Sequence, residues 1–449
     1  MRDFLVLAII LGAAPVCLFN PYFGVLMWYW VTYFNPHRFT WGIAYDFPVA
    51  AVIAGPTLIG TLFAKKSIRA LAVRETVLLL FLWAWYSFTY IHAKSVPLFA
   101  DNMPDADYEI GHISKILLFT VVMILLVNTK ERLRGVVLVT AGSLGLLAVK
   151  GALFGLRTSG ESRVWGPPDS FLSDNNAFGL ALNMCLPLLF FLAAQEKRKW
   201  LRIGIWVTFA STILVILLTY SRGALLGLAV VITALMLKSR HKVVGAFSMV
   251  VVAFFVLSFA PDAWMQRMGR FFSGDLDDSA QQRLVSWGTS WNFAHDYPLT
   301  GGSFDVLPNV QVFQRYQPRP LPLGFLSSGP HSIYFQLLAD QGFPGLALFL
   351  LLIGSCYWSL WRVRVIARSV PSANYLVPYT HMVEVSILGF MVSGAFLGFV
   401  YLDVIYQMIG LVVVLKVLLR NERRNYVEAP LPQHENVIDV TPESELAAV

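Results

Sequence analysis

The sequence predicts an all-α, polytopic integral membrane protein with about twelve transmembrane helices and one large, mostly helical periplasmic loop. Three observations carry this. Of the 449 residues, 57% are hydrophobic and only 14% are charged, a balance foreign to water-soluble domains of this length. Apolar runs of about 17–24 residues recur along the chain, the length a helix needs to cross the hydrocarbon of a bilayer. Between them, clusters of Lys and Arg fall in every second loop, as in cytoplasmic loops. The formal net charge of +7 lies mostly in those loops. It reports topology and gives no ground for a nucleic-acid partner.

In chain order, the first apolar segment, 4–34, is interrupted by Pro15 and by Asn20-Pro21. It reads as one broken crossing or as two short half-helices. Met1-Arg2-Asp3 resembles the start of a signal peptide, but no small-residue cleavage site follows, so the segment is read as retained. Pro48 opens the next run, to about Phe63, and Lys65, Lys66, Arg69 and Arg74 mark the inside. Residues 75–93 cross outward to an acidic loop, 94–112, with Asp101, Asp105, Asp107 and Glu109. The crossings 113–127, 135–156, 171–194, 203–218, 224–237 and 243–260 alternate between basic and polar connections. After the long loop, 343–361, 379–398 and 403–419 complete the set. With one net crossing in 4–34, every basic cluster falls on the same side and both termini are cytoplasmic; this is the expected topology. The organisation is then transmembrane helices 1–9 over 1–260, a periplasmic loop with the catalytic segment over 261–342, helices 10–12 over 343–424 and a disordered cytoplasmic tail over 425–449. Cys17, Cys185 and Cys356 lie inside apolar runs and read as small buried residues, with no disulfide framework or metal site.

Candidate functional groups gather on the outer face. Gly329-Pro330 is a turn, and the apolar helical pattern after it places His331 at or near a helix N-terminus, because proline suits a helix start. The positive end of the helix dipole disfavours imidazolium there, leaving a neutral ring able to accept a proton. The competing reading is a histidine that only satisfies backbone groups of the turn. In Thr219-Tyr220-Ser221-Arg222-Gly223, Ser221 can cap the next helix, and Arg222 then sits in the first turn, against the dipole. Either an anion bound by guanidinium and helix N–H groups explains that placement, or the arginine snorkels to headgroups. In the long loop, Arg283, Trp287 and Trp291 share a helical face at i, i+4, i+8; such a tryptophan stripe usually packs. The segment 157–176 carries Arg157, Arg163 and Asp174-Asn175-Asn176 ahead of a helix containing Asn183, and Asp174 or Asn175 suits its N-cap. Lys115, at the outer edge of a crossing, either snorkels or faces a polar cavity. Asp275-Leu276-Asp277 has the spacing that can hold a divalent cation on a diphosphate, but a solvated acidic turn is the preferred reading. No cofactor or metal is expected.

With these residues placed, the chain resembles the O-antigen ligase family of bacterial inner-membrane glycosyltransferases. The carrying segments are Thr219-Tyr220-Ser221-Arg222-Gly223, the run from Arg283 through Trp287 to Pro298 and Gly301-Gly302, and Pro330-His331-Ser332 continuing to Asp340-Gln341-Gly342-Phe343-Pro344-Gly345. The opening, with Asn20-Pro21-Tyr22-Phe23-Gly24 and Asn35-Pro36-His37-Arg38, is similar to the exosortase-associated O-glycosylation ligases. The resemblance implies transfer of a glycan from an undecaprenyl diphosphate donor to lipid A–core oligosaccharide or a related acceptor, at the periplasmic face, with metal-independent, inverting chemistry. His331 would be catalytic. Arg222 and Arg283, with Lys115, Arg157 and Arg163 as further candidates, would hold the diphosphate. Polymerases and protein O-oligosaccharyltransferases of the same superfamily share these features and differ in acceptor. A transporter fits less well, since the chain has no internal repeat and no charge relay at midplane.

Overall fold

The computed structural model describes residues 1–238, 278–321 and 324–428. The expected crossing 243–260, the loop residues 261–277 with Asp275 and Asp277, and the tail from 429 lie outside the described residues. Within them the protein is all-helical, with no strand. Eight helices are long and apolar enough to cross a membrane. They are α1 (Arg2–Phe19), α4 (Arg74–Ala93), α5 (Met103–Leu126) with its short lead-in from Pro97, α6 (Lys130–Arg157), α7 (Asn175–Gln195), α8 (Lys199–Leu218), α12 (Ile333–Ser369) and α13 (Leu376–Gly394). Four others, α2 (Pro21–Phe34), α3 (Val49–Phe63), α9 (Arg222–Lys238) and α14 (Asp403–Glu428), pack among them. Helices α10 (Asp278–Asp296) and α11 (Val310–Tyr316) form a small layer across one end. Two expected boundaries move. The acidic stretch 94–112 is largely the first turns of α5, and the last helix runs past 424 to Glu428.

The N-terminal topology differs from expectation. Asn20 ends α1 and starts α2: its N–H donates to Val16 O at 2.8 Å, and its side chain accepts from Phe23 N at 3.4 Å. Pro21, without an N–H, cannot continue α1. The two helices therefore fold back on one another. Asp3 Oδ1 accepts from Gly42 N at 2.9 Å and Ala44 N at 3.2 Å, so the start of α1 lies beside the segment that follows α2. At the other end Tyr22 donates to Arg132 O at 3.0 Å, at the basic start of α6. Residues 4–34 thus pass twice between the two ends of the bundle, and the N-terminus sits opposite the C-terminal end of α14. A reporter or cysteine label at Met1 is expected to report the same side of the membrane as a label in the 324–331 loop. Labelling on the side of Arg423 would contradict the hairpin.

Helix α7 is the most enclosed of the eight candidate spans, with 89% of its apolar window buried. Its Asn183 is fully buried and donates to Ala224 O at 2.8 Å and Ser393 Oγ at 3.2 Å, which joins α7 to α9 and α13. Small residues permit that approach, as is usual between membrane helices. The α10–α11 layer has its own core of Phe99, Val285, Phe293, Val312 and Phe313. Two glycines latch it to α12. Gly301 (φ +60) and Gly342 (φ +68) adopt conformations that side chains resist. Around them, Gly302 N donates to Ala339 O at 2.9 Å, Ser303 N to Asp340 O at 2.8 Å and Phe343 N to Pro298 O at 2.9 Å. The bend at Gly342 divides α12 into a short segment carrying the layer and a long apolar run.

Candidate active site

Three helix starts meet at the end of the bundle that carries the α10–α11 layer. The first is that of α7. Asp174 is its N-cap, accepting from Asn176 N at 2.8 Å and Ala177 N at 3.1 Å. Asn175 does different work: its side chain donates to Thr219 O at 2.7 Å and ties this start to the next. The second is that of α9, capped by Ser221 Oγ, which accepts from Ala224 N at 3.2 Å. Arg222 is its first residue and is half-buried. Tyr220, just before, has φ +56 and donates to Gly160 O at 2.6 Å. The third is that of α12, with N-cap Ser332.

The turn Phe396–Gly398 between α13 and α14 joins the second start to the third. A Cβ on Gly223 would lie 3.0 Å from Leu397 Cγ and 3.2 Å from Phe396 Cβ. A Cβ on Gly398 would lie 3.2 Å from the His331 backbone nitrogen. Helix α10 closes the other side. Trp287 donates to Pro330 O at 2.8 Å and stacks on Phe335, with centroids 5.2 Å apart. Trp291 packs on Phe343 instead. The tryptophans are therefore packing, and they set Arg283, one turn earlier, beside the histidine.

His331 opens to solvent on one side of this dense wall. Burial, then the Arg283 guanidinium, hold its pKa below the ordinary 6.5, while Asp174 pulls the other way. Burial and a neighbouring cation thus act in the same direction as the helix dipole was expected to. The backbone of His331 is left-handed, with φ +47, a conformation that costs about 1 kcal/mol or more and gathers at functional sites. The Ser332 hydroxyl is 1% exposed and has no hydrogen-bond partner among the described residues, which is unusual for a buried group.

The remaining candidates are placed unequally. Arg163 lies over Trp165 at 5.5 Å and within electrostatic reach of Tyr220, close to Arg222 in the chain. It lines a recess of about 240 Å³ with Lys150 and Phe39. Lys115 is exposed and belongs to another group, within electrostatic reach of His112 and Asp403. Arg157 is exposed at the last turn of α6 and makes no ion pair among the described residues. Neither is among the charges that act on His331, which are Arg283 and Asp174. Sequence reasoning missed the Phe396–Gly398 turn, which was read as the end of a crossing; its only signal is the small-residue run around Gly394 and Gly398.

A family described as O-antigen ligase matches residues 206–350, which take in Arg222, Arg283 and His331. Over this stretch, about a third of the chain, the protein is similar to the O-antigen ligase family, and the match supports membership. With eight helices long and apolar enough to cross a membrane, the match supports a multi-pass membrane protein of the glycosyltransferase type that this family represents. A family of unknown function (DUF5935) matches residues 1–197, which contribute Asp174 and Asn175. No curated protein matches the chain. The O-antigen ligase match starts within α8 and ends within α12. Two of the three helix starts thus lie in the ligase domain and the third lies in the other matched region.

Proposed function

We propose that the protein is an O-antigen ligase. It transfers a glycan from undecaprenyl diphosphate to lipid A–core oligosaccharide or a related acceptor at the periplasmic face of the bacterial inner membrane. The observation that supports this most is the meeting of three helix starts with Arg222, Arg283 and His331. Helix N-termini carry partial positive charge and free N–H groups, so together with guanidinium groups they suit a diphosphate. The Ser332 hydroxyl, with no partner among the described residues, offers a further donor. In the reaction, the acceptor oxygen forms a bond to the anomeric carbon as the bond to the diphosphate breaks. The diphosphate leaves with the electron pair, stabilised by the arginines, and the acceptor proton passes to neutral His331. Attack opposite the leaving group inverts the anomeric centre. Since guanidinium groups and helix ends carry the leaving charge, the reaction needs no protein-bound metal.

Deletion of the gene in its host tests this reading. Carrier-linked glycan is expected to accumulate while the lipid acceptor stays bare, with chain length unaltered. Loss of long chains with single units still attached would assign a polymerase instead. An unchanged acceptor would reject both.

A further inference from the structure

At the end of the bundle opposite His331, the start of α4 and the last turns of α12 and α14 enclose a cavity of about 600 Å³, a size usual for small-ligand sites. Six cations line it, Arg74, Arg362, Lys416, Arg420, Arg423 and Arg424, against one carboxylate, Glu428. Three of the six are occupied. Behind the wall, buried Glu75 pairs with Arg74 at 2.9 Å and Lys416 at 2.5 Å and accepts from Ser355 and Ser359 at 2.6 and 2.7 Å. Arg424 lies 4.0 Å from Glu428. Arg362, Arg420 and Arg423 are exposed and pair with no carboxylate among the described residues.

The rest of the wall is apolar, with Val73, Trp358, Ile366 and Leu419. Trp358 and its neighbour Trp361 are each about half exposed, with ring centroids 5.1 Å apart. Exposed tryptophans on membrane helices mark the headgroup level. A site for a soluble anion has no use for that apolar wall, whereas a lipid has a use for both parts.

We propose that this cavity binds the headgroup of an anionic phospholipid. Its phosphate lies on Arg362, Arg420 and Arg423, where the planar guanidinium forks match phosphate oxygens. Its acyl chains run along Trp358 and Ile366. Basic pockets between membrane helices are suited to such headgroups. A lipid bound there holds together the basic ends of α4, α12 and α14. The opposite end of α12 starts just after His331, and that of α14 follows the Phe396–Gly398 turn.

The test uses purified full-length protein in neutral detergent, titrated with cardiolipin, phosphatidylglycerol or zwitterionic phosphatidylethanolamine. Bound lipid is read by native mass spectrometry and stability by thermal unfolding. Both anionic lipids are expected to bind and to raise the unfolding temperature, and phosphatidylethanolamine to do neither. The triple variant Arg362→Ala/Arg420→Ala/Arg423→Ala should bind them about tenfold more weakly or worse. Arg198→Ala/Arg202→Ala, which removes exposed cations of the same end outside the cavity, should bind them as the unaltered protein does. If the triple variant is unstable without lipid, Arg420→Gln carries the same comparison. Undiminished binding by the cavity variants, or equal loss in the control, overturns the proposal. Inorganic diphosphate stabilising the protein as well as the lipids do would reassign the cavity to a free phosphate and also overturn it.

Discussion

His331→Ala is expected to lower glycan transfer about 10²–10⁴-fold, the usual loss on removing a general base, while donor binding stays largely intact. The separation follows from the geometry: the diphosphate is assigned to Arg222, Arg283 and the helix starts, and the imidazole to the acceptor proton. Because His331 has φ +47, alanine there is strained. His331→Asn, a residue that tolerates the left-handed region, separates strain from chemistry and should be equally inactive. Activity needs the neutral ring. Burial and Arg283 disfavour its protonated form, so activity should fall only as pH drops through a value below 6.5. Arg283→Gln removes the nearby cation, and the acid limb of its residual activity should move up toward 6.5. An acid limb of the unaltered protein at or above 6.5 would contradict the assignment.

Arg222→Ala and Arg283→Ala are each expected to lower transfer about 10²–10³-fold, as loss of one stabiliser of developing negative charge does. Donor affinity should weaken with it, unlike in the histidine variants. Lysine at either position should restore little, since a point charge cannot reproduce two parallel hydrogen bonds. Arg157→Ala and Lys115→Ala should transfer nearly as the unaltered protein does, because the charges that act on His331 are those of Arg283 and Asp174. Steady-state transfer and donor-binding measurements on this panel check the division. Normal transfer by both lysine variants, or losses at Arg157 equal to those at Arg222, would break it.

Much of this was legible in the chain. Apolar runs and basic loops place most of the helices, because crossing length and loop charge are local properties. The hairpin of α1 and α2 was not legible. Asn20-Pro21 signals a break, but whether the chain continues or reverses is decided by Asp3 capping Gly42 and Ala44, a contact across 39 residues. At the site, Arg222 and His331 stand out because each is locally awkward: a cation in a first helical turn, and a histidine after Gly-Pro at a helix start. The same local logic could not rank Lys115 and Arg157 against Arg283, because placement on the outer face says nothing about which cation acts on the histidine. It named the helix dipole alone as disfavouring imidazolium, and could not see that burial and Arg283, 48 positions away, push the same way. The Phe396–Gly398 turn carries no chemistry of its own. Its part is to let two helix starts approach, and small apolar residues announce nothing of the kind.

The most direct test of His331 as the base is transfer by purified protein in liposomes, given carrier-linked glycan and acceptor. Unaltered protein is compared with His331→Gln, with and without a chelator. Chelation should leave the rate of the unaltered protein unchanged; a loss would return a divalent cation at Asp275 and Asp277 to consideration. Glutamine keeps a hydrogen-bonding side chain without basicity, so the variant should bind donor normally and transfer at least about 10²-fold more slowly. Near-normal transfer by His331→Gln would contradict the assignment and leave His331 as a residue that only positions the acceptor.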